Sequence, residues 1–145
     1  MSIIALITAA ISGIFMAIQG SLNTALGKIT GLLEATFLVH IIGSIFAFLL
    51  LLVGLGEKKF DMLLKAPWYT YLGGILGVGI VYLVVFSINK IGVASATTAI
   101  IVGQVSMAMV ADHFGLFGLE SVPFNYWKIG GLLLLAAGAW LLLKR

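Results

Sequence analysis

The chain has 145 residues, 62% of them hydrophobic and only 9% charged, against about a quarter charged in ordinary soluble domains. Eight basic and five acidic side chains cannot cover the surface of a soluble domain, and a mean hydropathy of +1.23 excludes a disordered chain as well. The net charge of +3 would suggest nucleic acid in a soluble protein. Here the cations are scattered at segment ends, so they read as topology signals in a polytopic membrane protein and no nucleic-acid partner is expected.

A spanning helix needs about 20 mostly apolar residues. Five such runs fill the chain, at about 2–23, 32–55, 68–89, 91–112 and 126–143, and are expected to form a single all-α transmembrane domain over 1–145. The first run has no basic flank and is too long for the apolar part of a signal peptide, so it is read as mature structure. On it, Thr8, Ser12, Gln19 and Asn23 fall within a sector of roughly 60° at about 100° per residue. Beside that stripe, small residues recur every fourth position: Ala5, Ala9, Gly13, Ala17, Ser21 and Ala25. Small residues let helices approach closely in lipid. Ala9, Gly13 and Ala17 are therefore expected to pack within the chain, while the polar stripe serves interhelical hydrogen bonds or a substrate path.

The second run places Thr36, His40 and Ser44 at spacings of four. His40 is the one ionisable residue well inside a span, which marks it as a functional candidate. Its near-neutral intrinsic pKa suits proton coupling; a neutral ring donating one hydrogen bond is the structural alternative. Glu34 is expected at the mouth of the span, hydrated and facing away from His40. On the third run, which Pro67 precedes, Tyr71, Tyr82 and Asn89 share a face, while Gly73 and Gly77 mark a close-packed one. Tyr82 lies near mid-depth, where it would hold a cation or orient a solute, or else serve as a core tyrosine.

The fourth run carries Ser95, Ala99, Gly103 and Ser106 near one surface, with Thr97 and Gln104 on the other. Gln104 falls within about 4 Å of that run's midplane at ~1.5 Å per residue, where an amide needs a partner. Asp112 and His113 close the run at the interface, before a compact turn of Phe114, Gly115 and Gly118. Trp68, Tyr69, Tyr71, Tyr126, Trp127 and Trp140 form the expected aromatic belt. The candidate substrate path is thus Gln19, Asn23, His40, Tyr82, Thr97, Gln104 and Ser106. Candidate proton or gating groups are His40, Glu34, Asp112 and His113.

Several chemistries lack their residues. Cysteine is absent and two histidines are too few for a metal site, so no metal or cofactor is expected. The glycines of "GGILGVG" lie inside a span with no strand before them, which argues against a phosphate loop. Nothing combines a nucleophile, a base and an orienting group, so the chain is not read as an enzyme.

Orientation normally follows Lys and Arg in cytoplasmic links. One side would carry Lys58, Lys59, Lys65 and Lys128, and the other Lys28, Lys90, Lys144 and Arg145, so neither side is favoured. Either the signal is weak in a chain of one orientation, or copies insert both ways and pair antiparallel. Five spans plus five inverted ones would reproduce an inverted-repeat transporter with its site near the midplane.

Specific motifs add to this: "GIFMAIQGSLNTALGK", "PWYTYLGGILGVGIVY", "TTAIIVGQVSMAMVADHFGLFG" and "KIGGLLLLAAGAWLL". Across essentially the whole chain the sequence resembles the YdcZ-type small inner-membrane proteins of the drug/metabolite transporter superfamily. The resemblance implies a half-length, five-span exporter unit of the bacterial inner membrane that works as a pair. It also implies that the first four helices line a cavity, with the fifth peripheral. Gln19, Asn23, Gln104, Asp112 and His113 match its motifs. The combined expectation is an antiparallel homodimer, a ten-helix inverted-repeat bundle, moving a small organic solute by alternating access. Gln19 and Gln104 would orient the solute, Tyr82 would contact it, and His40 would take a proton. A dual-topology small-ion channel and an accessory subunit of another transporter half are the alternatives.

Overall fold

The computed structural model describes residues 2–57 and 59–144; Lys58 and Arg145, two of the cations in the charge count, lie outside them. Among the described residues every regular element is helical: α1 (Ile3–Thr30), α2 (Leu32–Leu52), α3 (Leu72–Ile91), α4 (Val93–Phe114) and α5 (Tyr126–Leu143). Short 3-10 turns at Phe60–Lys65 and Trp68–Tyr71 precede α3, and a third, Leu116–Gly118, follows α4. With Trp68–Tyr71 counted into the third, five helices are long and apolar enough to cross a membrane. The contacts divide the chain into one unit over Met1–Lys90 and another over Ile91–Arg145.

The helix ends depart from the apolar runs for identifiable reasons. α1 continues seven residues past Asn23, because polar Asn23 and Thr24 do not break it. The Thr24 hydroxyl instead donates to Gly20 O at 2.7 Å, inside its own helix. Only Gly31, at φ +105° and ψ 155°, ends the helix, and its N–H still bonds Gly27 O. α2 stops at Leu52, ahead of Gly54 at φ +87°. Pro67, Trp68, Tyr69 and Thr70 start the third span as a 3-10 turn, closed by the Thr70 hydroxyl on Pro67 O at 2.7 Å. α4 runs to Phe114, where Gly115 adopts a left-handed cap. Asn125 caps α5, its side chain accepting from Lys128 N–H at 2.8 Å.

The Met1–Lys90 unit has its tightest packing where α1, α2 and α3 meet. A Cβ on Gly20 would lie 2.9 Å from Ile88 Cδ1 and 3.3 Å from Val84 Cγ1. One on Gly27 would lie 3.2 Å from Val85 Cγ1 and 3.7 Å from Ala35 Cβ. Ala35 and Val85 are fully buried. Most large apolar side chains elsewhere are exposed, as expected of a lipid-facing surface. Lipid is as apolar as leucine, so shape complementarity rather than water exclusion holds such helices together.

The ridge expected to pack within the chain does not do so inside this unit. Ala9 is exposed, Ala17 is half-buried, and an added Cβ at Gly13 or Gly73 meets no other helix of the unit. The close approach instead follows Gly20 and Gly27, seven residues apart and on one helical face. Gly20→Leu should therefore lower unfolding stability by about 1–3 kcal/mol through overpacking. Gly13→Leu should leave the melting temperature of the solubilised monomer unchanged. Equal losses from both would put a packed neighbour against Gly13.

In the Ile91–Arg145 unit α4 packs on α5, with Ala139 buried, and small side chains leave a cavity of about 300 Å³. Ala99, Val102, Ala136, Ala139, Trp140 and Leu143 line it. A Cβ at Gly103 meets nothing within the unit.

Candidate functional site

Hydroxyls and amides behave differently along these helices. Thr8, Ser21, Thr24, Thr36, Thr98 and Ser106 each donate to a backbone carbonyl of their own helix, four residues back. Such back-bonding satisfies a hydroxyl locally. The expected polar stripe on α1 thus loses Thr8 to its own helix and keeps Ser12 and its two amides. Gln19 sits about 4 Å past the midpoint of α1 at ~1.5 Å per residue and is exposed. Asn23, one turn on, is buried at 7% exposure.

Gln19 and His40 come together. A cavity of about 260 Å³ is lined by Gln19 from α1, Val39, His40, Gly43 and Ser44 from α2, and Val81 from α3. A second cavity, of about 430 Å³, is lined by Leu33, Glu34, Thr36, Phe37 and His40 of α2 with Val78 of α3. His40 borders both. The Thr36, His40 and Ser44 face read from the spacing of four is thus the face turned to these cavities. Val39, Gly43, Val78 and Val81 carry no polar signal and were not legible as lining residues.

The His40 ring is oriented by its own helix. Nδ1 lies 2.7 Å from Thr36 O. A carbonyl only accepts, so Nδ1 carries the hydrogen and Nε2 of the neutral ring carries the lone pair. Nε2 faces α3, 3.6 Å from where a Cβ on Gly77 would stand. Gly77 therefore gives α3 a close approach to His40 of α2. Glu34 corrects the expectation that it faces away from His40, since both line the larger cavity. The two positions differ by about 120° around the helix, and a cavity this wide accommodates both. The Glu34 carboxylate folds back over Gly31. Tyr82, at the midpoint of α3 and 38% exposed, lines neither cavity.

On α4, Gln104 lies at the helix midpoint and is exposed, and no hydrogen bond among the described residues satisfies its amide. Thr97 and Ser106 are half-buried, and the Ser106 hydroxyl is taken by Val102 O at 2.7 Å. Asp112 and His113 shape the link to α5. Val122 N–H donates to Asp112 O at 2.7 Å, and the Ser121 hydroxyl to His113 O at 2.8 Å. Phe124 N–H donates to His113 Nδ1 at 3.3 Å while the two rings stack 4.3 Å apart. His113 thus takes the opposite tautomer to His40, with its hydrogen on Nε2. Lys128 Nζ stands 3.9 Å from the Asp112 carboxylate in a solvated pair, an arrangement that contributes little stability.

Comparison with known proteins follows these elements closely. The family described as "Putative inner membrane exporter, YdcZ" matches residues 4–141, a stretch holding every candidate site residue. The Inner membrane protein YdcZ of Escherichia coli (strain K12) is 25% identical over 138 residues, 92% of this chain and 91% of that protein. No solved structure matches. A match running through all five helices, and taking in both amides and both histidines, makes this multi-pass chain a member of the YdcZ family of inner-membrane proteins.

Proposed function

We propose that the chain is a secondary transporter that exports a small organic solute by alternating access, working as an antiparallel homodimer. One observation carries the reading: Gln104, an amide at the centre of a spanning helix, has no partner among the described residues. A free amide in the bilayer core costs several kcal/mol by a rough count, so a second copy or a solute is its natural partner. The cavity shared by Gln19 and His40 supports a polar path. The balanced cations support insertion in both orientations, which would build a ten-helix inverted-repeat bundle from one gene product. In this reading Gln19 and Gln104 orient the solute, with Asn23, Thr97 and Ser106 along its path. Tyr82 gives a contact surface, His40 exchanges a proton, and Glu34, Asp112 and His113 gate the ends. Ala9, Gly13 and Gly73 in one unit and Gly103 in the other are open within their own units and are positions offered to the second copy, with half-buried Ala17 beside Gly13.

Reporters active on opposite sides of the membrane, fused to the C-terminus, test the pairing. Both should give signal from one population of cells. Signal from one side alone would remove the antiparallel dimer.

A further inference from the structure

We propose that Nε2 of His40 is a proton-accepting atom that water reaches through the α2–α3 cleft, from the end of that cleft marked by Glu34. The inference rests on the transporter reading only for the use to which the proton is put.

Three observations carry it. The Nδ1–H bond to Thr36 O at 2.7 Å leaves Nε2 as the basic nitrogen. That nitrogen has no hydrogen-bond partner among the described residues. Among the described residues no sealed side-chain nitrogen or oxygen lacks a partner, so Nε2 opens on the cavities. Finally, His40 lines both cavities, and they differ in what else lines them. The larger holds Glu34, the single other ionisable group among the residues lining either cavity. The smaller holds Gln19. From α1 the residue facing His40 is Gln19; from α3 they are Gly77, Val78 and Val81. Neither helix presents a charge there. The imidazole therefore stands between a compartment ending at a carboxylate and one ending at an amide. A proton taken up on Nε2 from the first side is held beside the second.

Gly77 is what keeps the nitrogen reachable. A methyl there would sit 3.6 Å from Nε2, an ordinary contact distance. Gly77→Ala should thus fold while covering the lone pair.

Diethyl pyrocarbonate, which acylates an imidazole nitrogen bearing a free lone pair, is the probe. The full-length protein would be labelled in phospholipid nanodiscs, and the rates at His40 and His113 separated by mass spectrometry. His40 should acylate at Nε2. Gly77→Ala should slow it several-fold and Val78→Trp, which fills the larger cavity, at least tenfold. Ser44→Phe, which fills the smaller cavity, should leave the rate within twofold. An inert His40 in the folded wild type, or slowing by Ser44→Phe but not by Val78→Trp, would overturn the proposal. The Gly77→Ala protein guards against misfolding of the tryptophan variant, since unfolding would raise its rate. The measurement involves no solute, so it fails independently of the transporter reading.

Discussion

Alanine at Gly31 will destabilise the α1–α2 hairpin. Gly31 is the whole link between the two helices, at φ +105° and ψ 155°. That region is essentially restricted to glycine, and forcing another residue into it costs about 1–3 kcal/mol. The new methyl would also collide with the Glu34 carboxylate, whose Cδ would stand 3.0 Å away. Thermal unfolding in nanodiscs reads both effects. Gly31→Ala with Glu34→Ala should recover only the part due to the collision. Gly92→Ala, at φ +84° and ψ 164° between α3 and α4, should show the backbone part alone. Wild-type stability for Gly31→Ala would mean that the link takes another conformation in the membrane.

The second large effect is on transport. Gln104→Leu keeps roughly the same size and removes the hydrogen-bonding groups. Losing a hydrogen bond made to the moving solute costs about 1–3 kcal/mol, which is roughly tenfold or more in flux. Solute flux and detergent stability should be measured on the same preparations. On the proposed transport reading, flux should collapse in protein as stable as wild type, and Gln19→Leu should behave likewise. Full flux in folded Gln104→Leu protein would exclude contact with solute. Parallel loss of flux and stability would assign the amide to helix packing.

The five helices were legible because roughly 20-residue apolar runs have few other uses. Their ends were less so. Asn23 and Thr24 looked like a boundary by polarity, yet a threonine satisfied by its own helix is no obstacle to continuing it. His40 was legible from its burial cost, and its cavity-facing side from the spacing to Thr36 and Ser44. The seam inside the Met1–Lys90 unit follows other residues of α1 than the conspicuous ridge. A four-residue repeat of small side chains is conspicuous on α1, but contact depends on what stands opposite. Ile88, Val84 and Val85 stand opposite Gly20 and Gly27. The seven-residue spacing of Gly13, Gly20 and Gly27 was the available signal. It names the face but not the height along the helix at which the neighbour approaches.

The single-residue joint at Gly31 also has a mechanical meaning. One residue of extended chain reaches about 3.6 Å, whereas sliding one helix past another by a turn requires about 5.4 Å. α1 and α2 therefore have no slack to ratchet against each other, and can only tilt together as one lever. Slack lies in the longer stretches 53–71 and 115–125. In a cycle that exposes a site alternately to each side, Gln19 and His40 would ride together on this lever, while the pocket wall at Val81 belongs to α3. A proton on one and a solute on the other would cross as a fixed pair, and the rearrangement would fall to the surfaces the lever slides against.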